Sequence, residues 1–406
     1  MKMPFNTIKT NFKTGLMACA VTALGNMAMA DTISLGAPIP LTGYFAADGE
    51  TMGQAINLAV SEINANGGLL DKDIEVLTFD IGDLTPDKLA AAAANLIERG
   101  GVSALINGYG GMGPDIPAFC PYGIPYIHND AVAGVVDLAE RMGCNAIFNA
   151  SDIDLNYGKA QFDMVQKTGY AFDAKRIAIV HGDFEWDINN AKSMADAAEA
   201  AGWEVVYIQE VPYDTVEWTG IQSQIRAANP SLIHLEALEP AVATTFLSQY
   251  KENPAGAALL NVGYIGATSG LDDVMNQGQA EGLLSFTLNA HQDNEAGNAF
   301  VERWTAAYGA APSVSLAAAV YDMVYMWAAA VEKVGDAADY EAVGNAIREM
   351  KFSGLVGTFA FNERNFINNG PDTQPAQLFQ VQDGKRVRLV VGDVKVGEIA
   401  TPSWVN

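Results

Sequence analysis

Aromatic side chains and carboxylates gather where apolar, strand-like segments of this chain end. Tyr44, Phe45, Tyr109, Tyr157, Trp186, Tyr213, Trp218 and Tyr264 are the aromatics, and Asp48, Asp130, Glu185 and Glu236 the acids. Singly, such an aromatic is a packing residue and such an acid a solvated one. Together they suit an amine or ammonium, because a ring face and a buried negative charge both attract a cation. Gly108-Tyr109-Gly110-Gly111-Met112-Gly113 adds a second chemistry. It fits the G-x-G-x-x-G spacing that cradles a dinucleotide. It follows a third strand rather than a first, however, and Pro114 and Pro117 interrupt the helix that would hold a pyrophosphate. The preferred reading is a turn whose backbone N–H groups receive a small polar or carboxylate group, with Tyr109 projecting into the cleft; a turn that only reverses the chain is the alternative.

Catalytic patterns are missing. His128, His181, His234 and His291 show no metal-ligand spacing and no H-E-x-x-H, and there is no G-x-S-x-G elbow. Without a nucleophile beside a base there is no reaction to assign, and neither metal nor cofactor is implied.

The elements that must position these residues alternate between strand and helix periods. Strands are predicted at 33–39, 74–80, 102–107, 125–128, 147–149, 176–181, 204–211, 231–235, 258–264 and 282–288. Met52, Ala55, Ile56, Ala59, Val60 and Ile63 repeat at helical spacing until Asn66-Gly67-Gly68, and Thr85-Pro86 caps an Ala-rich helix over 87–99. This alternation predicts an α/β fold with parallel sheets covered by helices, and the length calls for two of them. Chain crossings are expected at 148–152, 285–289 and 357–362.

The first thirty residues read as an export signal: Lys2, Lys9 and Lys13, an uncharged stretch from Thr14 to Met27, then Ala28-Met29-Ala30 before Asp31. Cleavage is expected after Ala30, which places the mature chain in the periplasm; lipid attachment at Cys19 is the weaker reading. The whole chain carries 23 Lys and Arg against 48 Asp and Glu, net −25, and loss of the three lysines takes this to −28. Such a surface repels nucleic acid and anionic lipid. Cys120 and Cys144 remain, and an even pair in an oxidising compartment reads as a disulfide, with two buried thiols as the alternative.

Four segments in order carry a resemblance: Pro40-Leu41-Thr42-Gly43, the run from Ala59 to Gly68, Arg176 to His181, and Ala280-Glu281-Gly282-Leu283. Over about Ile33 to Gln382 the chain resembles the type I periplasmic solute-binding proteins of ATP-driven (ABC) importers, in the leucine/isoleucine/valine-binding branch. The resemblance implies two Rossmann-like lobes joined by three crossovers, here 31–149 with 286–357 and 150–285 with 358–406. It implies a monomer that closes on a small solute and delivers it to a membrane permease. In that branch hydroxyl groups receive the ligand's carboxylate at the loops reading here Tyr109-Gly110-Gly111 and Asp130-Ala131-Val132, and neither holds Ser or Thr. The branch's amine-binding acid falls near Tyr264, where Glu236 can substitute, and Trp186 falls at an aromatic position. The expected ligand contacts are therefore Tyr44, Tyr109, Gly110, Asp130, Tyr157, Trp186, Glu236 and Tyr264. The expected solute is an amino acid, an amide or a methylated amine. The alternatives are a periplasmic enzyme using the Gly108–Gly113 loop and a soluble ligand sensor.

Overall fold

The structure is a computed structural model describing residues 32–212, 214–236, 240–262, 271–402, 404 and 405. The segment 1–30 expected to be an export signal, Tyr213 and Tyr264 lie outside the described residues.

Five parallel strands form the first sheet: β1 (Ile33–Ile39), β2 (Ile74–Asp80), β3 (Leu105–Ile106), β4 (Tyr126–His128) and β5 (Ile147–Asn149), in the order β2-β1-β3-β4-β5. Between them run α1 (Ala46–Ala65), α2 (Pro86–Ala92), α3 (Asp115–Phe119) and α4 (Ala133–Met142). The helix expected over 87–99 changes character: Ala93–Arg99 winds as a π-helix, and the Gly100 N–H donates to the Asn95 carbonyl at 3.0 Å. The strands are short and apolar throughout because both faces are covered. Leu105, Tyr126 and Ile147 point into one buried cluster, while Ile106, Ile127 and Phe148 point into the other.

Parallel strands β6 (Arg176–His181), β7 (Glu204–Glu210), β8 (Leu232–Glu236), β9 (Ala258–Leu260) and β10 (Leu284–Thr287) begin the second sheet. Helices α5 (Asp154–Lys167), α6 (Glu185–Ala200), α7 (Thr219–Ala228), α8 (Pro240–Glu252) and α9 (Leu271–Asn276) accompany them. The chain then turns away into α10 (Glu295–Tyr308), α11 (Ala317–Val334) and α12 (Tyr340–Glu349). Helix α11 packs with α1 beside the first sheet, and its apolar residues are buried almost all round, as a helix without a polar face must be. Each Val or Met so buried contributes roughly 1.5–3 kcal/mol before entropy is counted.

A small hairpin, β11 (Phe352–Ser353) and β12 (Thr358–Phe359), takes up part of the segment expected to cross at 357–362. Further on, the segment 365–374 runs beside 148–152 and is tied to it by an isolated bridge between Asn149 and Phe366. Asn149 donates its N–H to Asn365, Ile367 donates to Ser151, and the Gln374 side chain donates to Ala150. Beyond it β13 (Gln377–Gln382), β14 (Lys385–Val391) and β15 (Val394–Lys395) extend the second sheet antiparallel from β10, giving the order β15-β14-β13-β10-β9-β8-β6-β7. The sequence reading placed no strands there. A disulfide joins Cys120, at the end of α3, to Cys144, in the turn between α4 and β5, with the Cα atoms 5.4 Å apart. No helix among the described residues is long and apolar enough to cross a membrane.

Candidate functional site

The carboxyl ends of both sheets face one cavity of about 120 Å³. At roughly 10–15 Å³ per water this admits a solute of about ten heavy atoms. Four aromatic rings line it. Phe45 at the start of α1 meets Tyr109 edge to face at 5.6 Å, and Tyr157 of α5 meets Trp186 of α6 in the same way at 5.7 Å. Met112, Val132 and Leu316 add apolar surface. Asp48, Asn129, Asp130, Asn289 and Ser315 supply the polar groups, and among the described residues no Lys, Arg or His lines it.

Among the described residues no cation pairs with the two carboxylates. Asp48 keeps part of its surface open to the cavity mouth, yet protein surrounds its carboxyl, and that burial pushes it up to about 6. Asp130 is almost wholly buried, and burial, then the nearby charge of Asp115, push it well above the usual carboxylate range. The Met112 and Val132 N–H groups, which donate to its two oxygens, oppose that shift.

Beneath these walls the Gly-rich turn is closed on itself. Gly108 donates its N–H to the Met52 sulfur, Tyr109 and Gly110 donate to Asn107 Oδ1, Gly111 and Gly113 to the two oxygens of Asp115, and Met112 to Asp130. The expectation that these N–H groups receive a ligand's carboxylate is therefore corrected: the chain's own acceptors hold all six. Asp115 is fixed in turn by the Tyr126 hydroxyl at 2.8 Å. In the neighbouring loop Asp130 donates its N–H to His128 Nδ1, Val132 to Asp130, and Ala133 to Asp154. Burial drives His128 down to about 4, so its ring is neutral and accepts.

Of the residues expected from sequence, Tyr109, Asp130, Tyr157 and Trp186 line the cavity together. Gly110 backs Asp130: a Cβ there would lie 2.8 Å from the Asp130 Cβ. Tyr44 does not line it; its side chain is 61% exposed, and the adjacent Phe45 takes the wall position. Glu236 does not line it either. It lies fully buried at the end of β8, where His234 Nε2 donates to it at 2.8 Å and Gln161 Nε2 at 3.0 Å. Its charge still reaches the Tyr157 hydroxyl, which burial above all pushes up. Trp218 packs on Phe246 in the core. Asn289, Ser315 and Leu316, from the segments after β10 and before α11, were not anticipated as contacts. Among the described residues no group of His, Cys, Asp or Glu is arranged to hold a metal.

The Pseudomonas aeruginosa leucine-, isoleucine-, valine-, threonine- and alanine-binding protein is 24% identical over 356 residues, 87% of this chain and 92% of that protein. Among solved structures, a putative branched-chain amino acid ABC transporter protein from Silicibacter pomeroyi superposes with a TM-score of 0.82 at 24% identity, covering 92% of this chain and 100% of that one. An R. palustris solute-binding protein in complex with benzoate superposes at 0.74 and 21% identity, over 91% and 98%. The sequence model described as periplasmic binding protein matches residues 32–386, and this chain, with its cavity at the strand ends, belongs to that family of binding proteins rather than to an enzyme family.

Proposed function

We propose that this chain is the solute receptor of an ATP-driven importer, exported to the periplasm with residues 1–30 removed, that closes as a monomer on a small nitrogen-containing solute and delivers it to a membrane permease. One observation carries the choice of solute: the cavity wall combines Phe45, Tyr109, Tyr157 and Trp186 with Asp48 and Asp130 and, among the described residues, has no cationic side chain. A desolvated ammonium over an aromatic face gains about 2 kcal/mol, and each carboxylate held above its ordinary range gains further from a cation beside it. The amino-acid ligands named for the P. aeruginosa relative agree with this size class, as does the benzoate of the R. palustris structure.

A thermal-shift panel of amino acids, amides, polyamines and quaternary amines, followed by calorimetry, tests the reading. A ligand at a hundred times its Kd raises native stability by about 2.7 kcal/mol. If no member raises the melting temperature, or if the best ligand lacks an amine, amide or ammonium group, the reading is wrong. Loss of uptake of that ligand in a strain deleted for the gene tests delivery.

A further inference from the structure

We propose that the cavity excludes carboxylates, because the N–H donors positioned to receive one are already filled by carboxylates of the chain itself, so that the solute is an amine, ammonium or amide and not a free amino acid or aromatic acid. The inference rests on the solute-receptor reading above and narrows it.

In the Gly-rich turn the N–H groups of Gly111, Met112 and Gly113 end on Asp115 and Asp130, at 2.9, 2.9 and 3.1 Å. In the next loop those of Val132 and Ala133 end on Asp130 and Asp154, at 3.3 and 3.0 Å. The first turn of α4 is covered too: a Cβ at Gly134 would lie 2.6 Å from Glu185 Oε1, so the Glu185 carboxyl occupies the space over that helix start. Turns and helix starts of this kind ordinarily receive a ligand's anion. Here four acidic side chains take those positions, and an incoming carboxylate would find no free donor there and a second carboxyl group at Asp130.

Asn129 and Asn289 line the cavity, both more than nine-tenths buried, and the Oδ1 of each is itself buried with no partner among the described residues. Such an unpaired acceptor gains from any N–H group that reaches it. Asp48 and Asp130 favour a positive charge on the solute.

Matched pairs provide the test: leucine against leucinamide, and benzoate against benzylamine and benzamide, titrated calorimetrically into the purified exported protein. Leucinamide and benzylamine are expected to bind at least tenfold more tightly than leucine and benzoate. Asp130→Ala, which frees the Met112 and Val132 donors, is expected to gain at least tenfold in benzoate affinity. Asp130→Asn keeps an acceptor and removes only the charge, and serves if the alanine variant does not fold. Leucine or benzoate binding the wild-type protein as tightly as its partner overturns the exclusion and leaves the receptor reading standing. An Asp130 variant, checked by thermal melting, that keeps the wild-type preference overturns the assignment to these loop carboxylates. Silence from every member of both pairs and from the whole thermal-shift panel overturns the solute-receptor reading itself.

Discussion

Gly158 of α5 touches the backbone of Asn190 on α6 so closely that a Cβ at this position would stand 2.1 Å from the Asn190 carbonyl oxygen and 2.3 Å from the Met194 nitrogen. Both obstacles are main chain and cannot rotate away. Gly158→Ala must therefore push α5 and α6 apart, and overpacking of this kind costs roughly 1–3 kcal/mol. These helices also carry Tyr157 and Trp186, whose rings meet at 5.7 Å. Chemical denaturation should show the loss of stability, and ligand affinity should fall with it. A variant as stable as wild type would mean that the helices are not packed this tightly.

The Cys120–Cys144 bond closes a loop with a sequence separation of 24. Restricting the unfolded chain over that length stabilises the fold by about 3 kcal/mol. The double Cys→Ser variant should melt several degrees lower, and thiol titration of unreduced, unfolded protein should find no free thiol at these two positions. Two titrating thiols would show that the bond is not formed in the exported protein.

Trp186 forms much of one wall and is only 7% exposed. Trp186→Ala should weaken binding of the best ligand by roughly 2–4 kcal/mol, in the range of other buried aromatic anchors. Trp186→Phe keeps an aromatic face and should cost less. Equal losses in the two variants would assign the effect to volume rather than to the ring.

How much of this could be read from sequence varies by element. Strands β5 and β6 have the predicted limits because a fully covered parallel strand is a continuous apolar run between polar ends. The β13–β14 hairpin was missed although Asp383-Gly384, both with positive φ, is the turn signal for a two-residue hairpin. At the cavity, the strand-end rule located the loops but not the facing side chains: Tyr44 and Phe45 are one residue apart, and only Phe45 faces inward. The closure of the Gly-rich turn was also hidden, since Met112 finds its acceptor 18 residues away at Asp130. Glu236 was recognised as an acid at a strand end. Its partner Gln161 lies 75 residues earlier in the chain, and no local pattern announces that contact.

Asp48 sets a pH dependence whose sign follows from its environment. Burial raises its carboxyl from the ordinary 3.8 to about 6. In the ligand-free fold its contribution to stability is thus full below 3.8 and is lost as pH rises through about 6. A cation in the cavity acts in the opposite direction, since it favours the ionised form and pulls the value down. Affinity for an amine that stays protonated throughout should therefore rise between pH 5 and 7, by at most about tenfold per unit for one released proton. Asp130, also raised, extends the rise to higher pH. A neutral amide should show a much flatter profile, and Asp48→Asn should remove the part of the amine's dependence centred near 6. Titrations in buffers of different ionisation enthalpy would count the protons released. An amine whose affinity is independent of pH from 5 to 7 would place its charge away from Asp48.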